Sequence, residues 1–134
     1  MNLAEEFYKL FKGSDIAHGT YEVKGNRATD GKKQGIAKVI KEPTTIEMWQ
    51  EHLNGGIGLG IIPIKSDNMC QWGAIDIDQY DVSHKKLITV LTENKIPAVV
   101  GRTKSGGAHV WMFISEPIEA EEMQRRITEL SAAL

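Results

Sequence analysis

From Cys70 to Ala133 the apolar positions change period in a fixed order. Residues 70–78 alternate as a strand does and close on Asp76-Ile-Asp78; residues 83–94 read as a helix, with Asp81 or Ser83 as the cap. A strand over 97–102, a turn over 103–107, a strand over 108–114 and a helix over 118–133 follow. Strand, helix, strand, strand, helix are the first five elements of a β-α-β-β-α-β split unit.

Upstream, Leu3, Phe7, Leu10 and Phe11 fall on one helical face, and Gly13 ends that helix. Thr20–Val23 reads as a short strand. Lys24–Gly35, with Lys24, Arg27, Lys32 and Lys33 among glycines, reads as a flexible cationic loop that either touches a phosphate backbone or is simply solvated. Thr44-Thr-Ile-Glu47 has capping-box form and opens a helix over 44–53; Asn54-Gly-Gly56 stops it, and Ile57–Ile64 reads as a buried strand. The expected architecture is an α+β fold with a small N-terminal α/β module (1–69) and a split β-α-β sheet of the RNA-recognition type (70–134).

The alternation also assigns faces. Asp76 and Asp78 point one way and Ile75 and Ile77 the other, with the aspartate Cα atoms about 6.6 Å apart from the strand rise. Val110, Met112 and Ile114 face the helices, and His109, Trp111 and Phe113 share the opposite face. In the split unit the first and third strands are antiparallel neighbours, so the acidic end of the first meets the start of the third. Asp76 and Asp78 are therefore expected beside His109.

Composition adds limits. The chain has 134 residues, 41% hydrophobic and 25% charged, enough for one small core without a disulfide or structural metal. A net charge of -2 offers no overall basic excess, so any nucleic-acid contact must come from local patches. Cys70 is the one cysteine and reads as a core residue in a reduced compartment, with no zinc-ligand spacing around it. No secretory start and no long apolar run occur, so a cytoplasmic protein with no membrane contact is expected.

Paired aspartates suit hard cations such as Mg²⁺ or Mn²⁺, which bridge and polarise phosphate oxygens. Opposite them, Ser105, Gly106 and Gly107 can turn tightly and present backbone N–H groups to a triphosphate, with Arg102, Lys104 and His109 adding charge and hydrogen bonds. His18, His52 and His84 read as solvated. Gly55, Gly56, Gly58 and Gly60 do not fall in dinucleotide-binding order and precede a strand rather than a helix.

Asp76-Ile-Asp78 on a strand followed by Ser105-Gly-Gly-Ala-His109-Val-Trp111 resembles motifs I and II of the archaeo-eukaryotic primase superfamily, in particular its phage and bacterial primase-polymerase branch. Leu10–Gly13 and Trp49–Pro63 are similar to that family's N-terminal module. The resemblance implies a DNA primase or DNA polymerase catalytic domain, with Asp76 and Asp78 as metal ligands and His109 with Ser105 or its neighbours on the phosphates of an incoming dNTP or NTP. Its partners would be a DNA template and primer, and a helicase domain or protein in the same system. In much of the family motif II is Ser-x-His, whereas here Ser105 stands four residues before His109.

The family's third acidic motif lies on a later strand, so residues 1–134 are expected to be part of a longer polymerase and to bind nucleotide weakly and extend poorly alone. Asp81 is the nearest further carboxylate. The open edge of strand 70–78 is expected to self-associate or to be covered by a segment from 14–42. Two other classes compete: a metal-dependent nuclease using the same ions, and a non-catalytic single-strand-binding module with Trp111 and Phe113 as stacking platforms.

Overall fold

The computed structural model describes residues 2–27, 33–79 and 81–134. They form two compact units, Met1–Asn68 and Met69–Leu134. The α+β class expected from the sequence is what the chain adopts.

In the first unit, α1 (Leu3–Leu10) is capped by Asn2, whose side chain accepts from the Glu5 amide at 2.9 Å. Its inward face is Ala4, Phe7 and the following Phe11; the two rings stack on Trp49 at 5.4 and 5.8 Å. Leu3 and Leu10, expected on the docking face, are exposed instead, because three aromatic rings already fill the space beneath the helix. Trp49 lies on α2 (Ile46–Leu53), which starts at Ile46 with Thr45 as the cap, its hydroxyl accepting from Met48 N at 3.3 Å. Thr44 was the expected cap; Thr45 wins because it stands directly before the first helical residue, three before the amide it serves.

The segment read as a short strand and a cationic loop is a hairpin. Strands β1 (His18–Arg27) and β2 (Lys33–Ile40) pair antiparallel through Arg27↔Lys33, and β3 (Gly58–Gly60) adds to the other edge of β1. The tip, 28–32, lies outside the described residues. Main-chain pairing carries the ladder, so no apolar alternation was needed, and Gly35 makes room for Tyr21, whose ring lies 2.3 Å from where a Cβ would stand. The strand expected over 57–64 shrinks to Gly58–Gly60, with Ile57, Ile62 and Ile64 exposed. His18 is buried, 2% exposed, and its Nδ1 donates to the Glu42 carbonyl at 2.7 Å, which corrects its reading as a solvated residue. Asp15 accepts from both the amide and hydroxyl of Ser66 (3.1 and 2.8 Å), bonds that hold its carboxyl below the ordinary value.

The second unit follows the expected order: β4 (Met69–Ile77), α3 (His84–Glu93), β5 (Ala98–Arg102), β6 (Ala108–Glu119) and α4 (Ala120–Ala133). Ser83 caps α3, accepting from Lys86 N at 3.2 Å. The sheet order is β4-β6-β5, antiparallel throughout, so β6 is the middle strand. Its longer span absorbs residues 115–119, which delays α4 to Ala120; an irregularity between Cys70 and Trp72 keeps the far end in register with Met69↔Glu119.

The helix face of this sheet is as the alternation requires. Leu91, Val110 and Leu130 form the buried centre, with Ile75, Ile77, Ile96, Ala98, Val100 and Met112 packed on it. Gly73 lets α4 lie close, since a Cβ there would stand 2.9 Å from Met123 Sδ and 3.0 Å from Ile127 Cγ1. Cys70 is a free, buried core residue whose thiol is pushed up by burial. Among the described residues no helix is long and apolar enough to cross a membrane.

Candidate active site

With one face of the β4-β6-β5 sheet committed to the helices, the period of two sends the polar residues of the same strands to the other face. In the antiparallel register Asp76 stands directly opposite His109, and Gly101 stands opposite His109 on its other side. His109 Nε2 lies 3.4 Å from Asp76 Oδ1. The aspartate side chain is 68% exposed and the histidine 43%, so a ligand can reach both without rearrangement of the core. Next along β6, Trp111 packs edge-on to His109 with ring centroids 5.5 Å apart. Its ring also crosses β5 at Gly101, where a Cβ would sit 2.5 Å from Trp111 Cζ3.

Asp78 follows the last residue of β4 and is exposed. The register places Arg102 opposite Ala108, on the same face as the Val100–Val110 pair, one step out of phase with His109. Of the expected cluster, Asp76 and His109 are thus in contact, Asp78 is at the adjoining strand end, and Arg102 belongs to the other side of the pleat. Asp81 is exposed in the turn before α3. Among the described residues no group of three or more His, Cys, Asp or Glu side chains is gathered around one point.

The turn between β5 and β6 is built by its own hydrogen bonds. Gly106 N donates to Thr103 O and Thr103 N to Gly107 O, both at 3.1 Å, with Gly106 at φ +94. This is the bonding of a four-residue turn followed by a glycine bulge, and Gly106 is there because its positive φ strains any side chain. The Gly106 amide, expected to face a phosphate, is therefore used inside the turn. The Ser105 hydroxyl lies 3.3 Å from that of Thr103. Gly107 is buried, and a Cβ on it would lie 2.4 Å from the Ile77 carbonyl oxygen. The glycine thus seats the turn directly on the acidic end of β4.

One residue that the sequence reading set aside belongs here. His84, at the first position of α3, places Nε2 2.8 Å from the Gly107 carbonyl and is half-buried, so it is not solvated as expected. Its partner is a main-chain oxygen 23 residues away, which leaves no side-chain motif to find. The available signal was position: a capped helix six residues after Asp78 begins at the strand end to which the β5–β6 turn must also return.

A strand-borne carboxylate thus stands opposite a histidine, beside a glycine turn on an α+β sheet. The family described as the archaeo-eukaryotic primase domain of the TOTE conflict system matches residues 6–133, and the chain belongs to that family. Membership implies primase-like nucleotidyl transfer as the class of reaction, with nucleic acid and nucleotide as the class of ligand. No curated protein matches the chain.

Proposed function

We propose that this domain is the catalytic part of a DNA primase-polymerase that joins a dNTP or NTP to a strand paired with a DNA template, working within a conflict system as its family's description suggests. The observation that carries the reading is the pairing of Asp76 with His109 across β4 and β6, beside a turn seated on the same strand end. The donor set fits a divalent cation, since the exposed carboxylates of Asp76 and Asp78 supply hard oxygen ligands. Asp76 and Asp78 would hold Mg²⁺ or Mn²⁺, with the remaining positions taken by phosphate, water or further protein oxygens.

When bound, such an ion neutralises charge developing on the phosphoryl oxygens. His109, whose Nε2 lies 3.4 Å from Asp76 Oδ1, would donate from that nitrogen to a phosphate oxygen. The Ser105 amide and hydroxyl and the Lys104 ammonium are the turn's donors to the β and γ phosphates, and Arg102 adds longer-range positive charge at the rim. In the transfer itself the primer hydroxyl oxygen bonds to the α phosphorus, the hydroxyl proton leaves to solvent, and pyrophosphate departs with the electron pair of the broken bond. A helicase in the same system as partner rests on family resemblance.

The site faces away from the helix-packed core, so binding and folding separate experimentally. His109→Ala should weaken Mn²⁺-dependent dNTP binding about tenfold, the loss expected for one charge-assisted hydrogen bond. Its melting curve should match the parent's. Titration by fluorescence or calorimetry checks the first, and circular dichroism the second. Collapse of the fold would make His109 a core residue and remove it from the site.

One observation favours a second reading. Trp111 laid over Gly101, beside Val99 at 52% exposure, gives the sheet face that carries His109 an aromatic platform for single-stranded nucleic acid. A purely binding module would use that platform without either aspartate.

A further inference from the structure

Nothing in the transfer chemistry requires a second histidine, yet His84 is held at the site by a specific bond. A carbonyl oxygen only accepts, so in the 2.8 Å contact to Gly107 O it is His84 Nε2 that carries the proton and donates. The same oxygen takes the Thr103 amide at 3.1 Å, so both of its lone pairs are used. One of these bonds closes the turn on itself; the other ties it to α3. The absent Cβ of Gly107, which would stand 2.4 Å from the Ile77 carbonyl, adds a third constraint by letting the turn rest on β4. Ser83, the residue before His84, caps α3 with its hydroxyl on Lys86 N at 3.2 Å, so the helix start that presents the imidazole is itself fixed.

We infer that His84 is a positioning residue: from the first turn of α3 it locks the Thr103–Gly107 turn at the acidic end of β4 and so sets the turn's donors relative to Asp76. That this placement serves a phosphate group rests on the nucleotide reading above; the lock itself does not. The bond needs a donor at the reach of Nε2 and nothing else of the imidazole. Glutamine supplies one, because its amide nitrogen extends about as far from the backbone, whereas alanine supplies none.

The experiment compares the parent, His84→Ala and His84→Gln by amide hydrogen exchange over 103–107 and by titration with Mn²⁺ and dATP. In His84→Ala the Thr103 and Gly106 amides should exchange about fivefold faster, as loss of one hydrogen bond implies, and dATP affinity should fall by a similar factor. In His84→Gln both should return to within about twofold of the parent. Unchanged exchange in His84→Ala, or a His84→Gln that exchanges as fast as the alanine variant, overturns the proposal. Should His84→Ala fail to fold, His84→Gln decides alone: parent-like exchange supports the lock and faster exchange refutes it. If the parent takes up no dATP while the exchange pattern holds, the positioning role stands and the nucleotide reading fails.

Discussion

Replacing Asp76 and Asp78 together by asparagine is expected to cost on the order of 100-fold or more in Mn²⁺-dependent nucleotide affinity. Removing even an outer partner of a metal ligand costs about 10–100-fold, and these two are read as the ligands themselves. Asparagine keeps the shape and some hydrogen bonding but removes both negative charges, so the loss reports on charge. Stability should barely change, because Asp76 is 68% exposed and substitutions at such surface sites stay within about 0.5 kcal/mol. The same variant separates the rival classes. A single-strand-binding module would keep or improve its hold on oligonucleotide once the repulsive charges are gone. A nuclease would lose metal-dependent cleavage while never having gained stability from dNTP. Unaltered nucleotide affinity in the double variant would remove the aspartates from the site.

Gly107→Ala is expected to damage fold and function together. The new Cβ would stand 2.4 Å from the Ile77 carbonyl oxygen, a main-chain atom inside the β4–β6 ladder that has little freedom to yield. The turn must therefore back away from β4, which strains the Thr103–Gly107 bond and draws the Gly107 carbonyl off His84. Overpacking of this kind costs about 1–3 kcal/mol, measurable as an earlier urea midpoint at unchanged slope. Nucleotide affinity should fall with it, since the turn's donors move relative to Asp76. Parent-like stability would show that the turn does not rest on the strand as described.

The second unit was readable in advance because β4 and β6 alternate strictly where they meet at the site. Ile75 and Ile77 alternate with Asp76 and Asp78, and Val110 and Met112 with His109 and Trp111, so a period of two fixed the faces and the antiparallel order fixed the neighbour. That was enough to bring Asp76 to His109. It was not enough for Asp78, which falls just beyond the ladder, or for Arg102, whose parity puts it on the other face.

In the first unit the same reasoning failed for physical causes. Lys24–Gly35 lacks an apolar stripe, but the strands it enters are held by main-chain bonds on a sheet whose side chains Ile36 and Val39 stay exposed. Ile57–Ile64 has the apolar content of a buried strand and buries little of it. His18 and His84 each bond a backbone carbonyl distant in sequence, a partner that residue identity does not encode.

The central claim is that Asp76, Asp78 and His109 make one metal-dependent nucleotide site, and a thermal melt with both ligands tests it most directly. Ligand binding to the folded state alone stabilises it by about 2.7 kcal/mol at 100 times the dissociation constant. Mn²⁺ with dNTP should therefore raise the melting temperature by several degrees, and by more than the sum of the shifts that either gives alone. Additive shifts, or a dNTP shift that is the same with and without Mn²⁺, would contradict it.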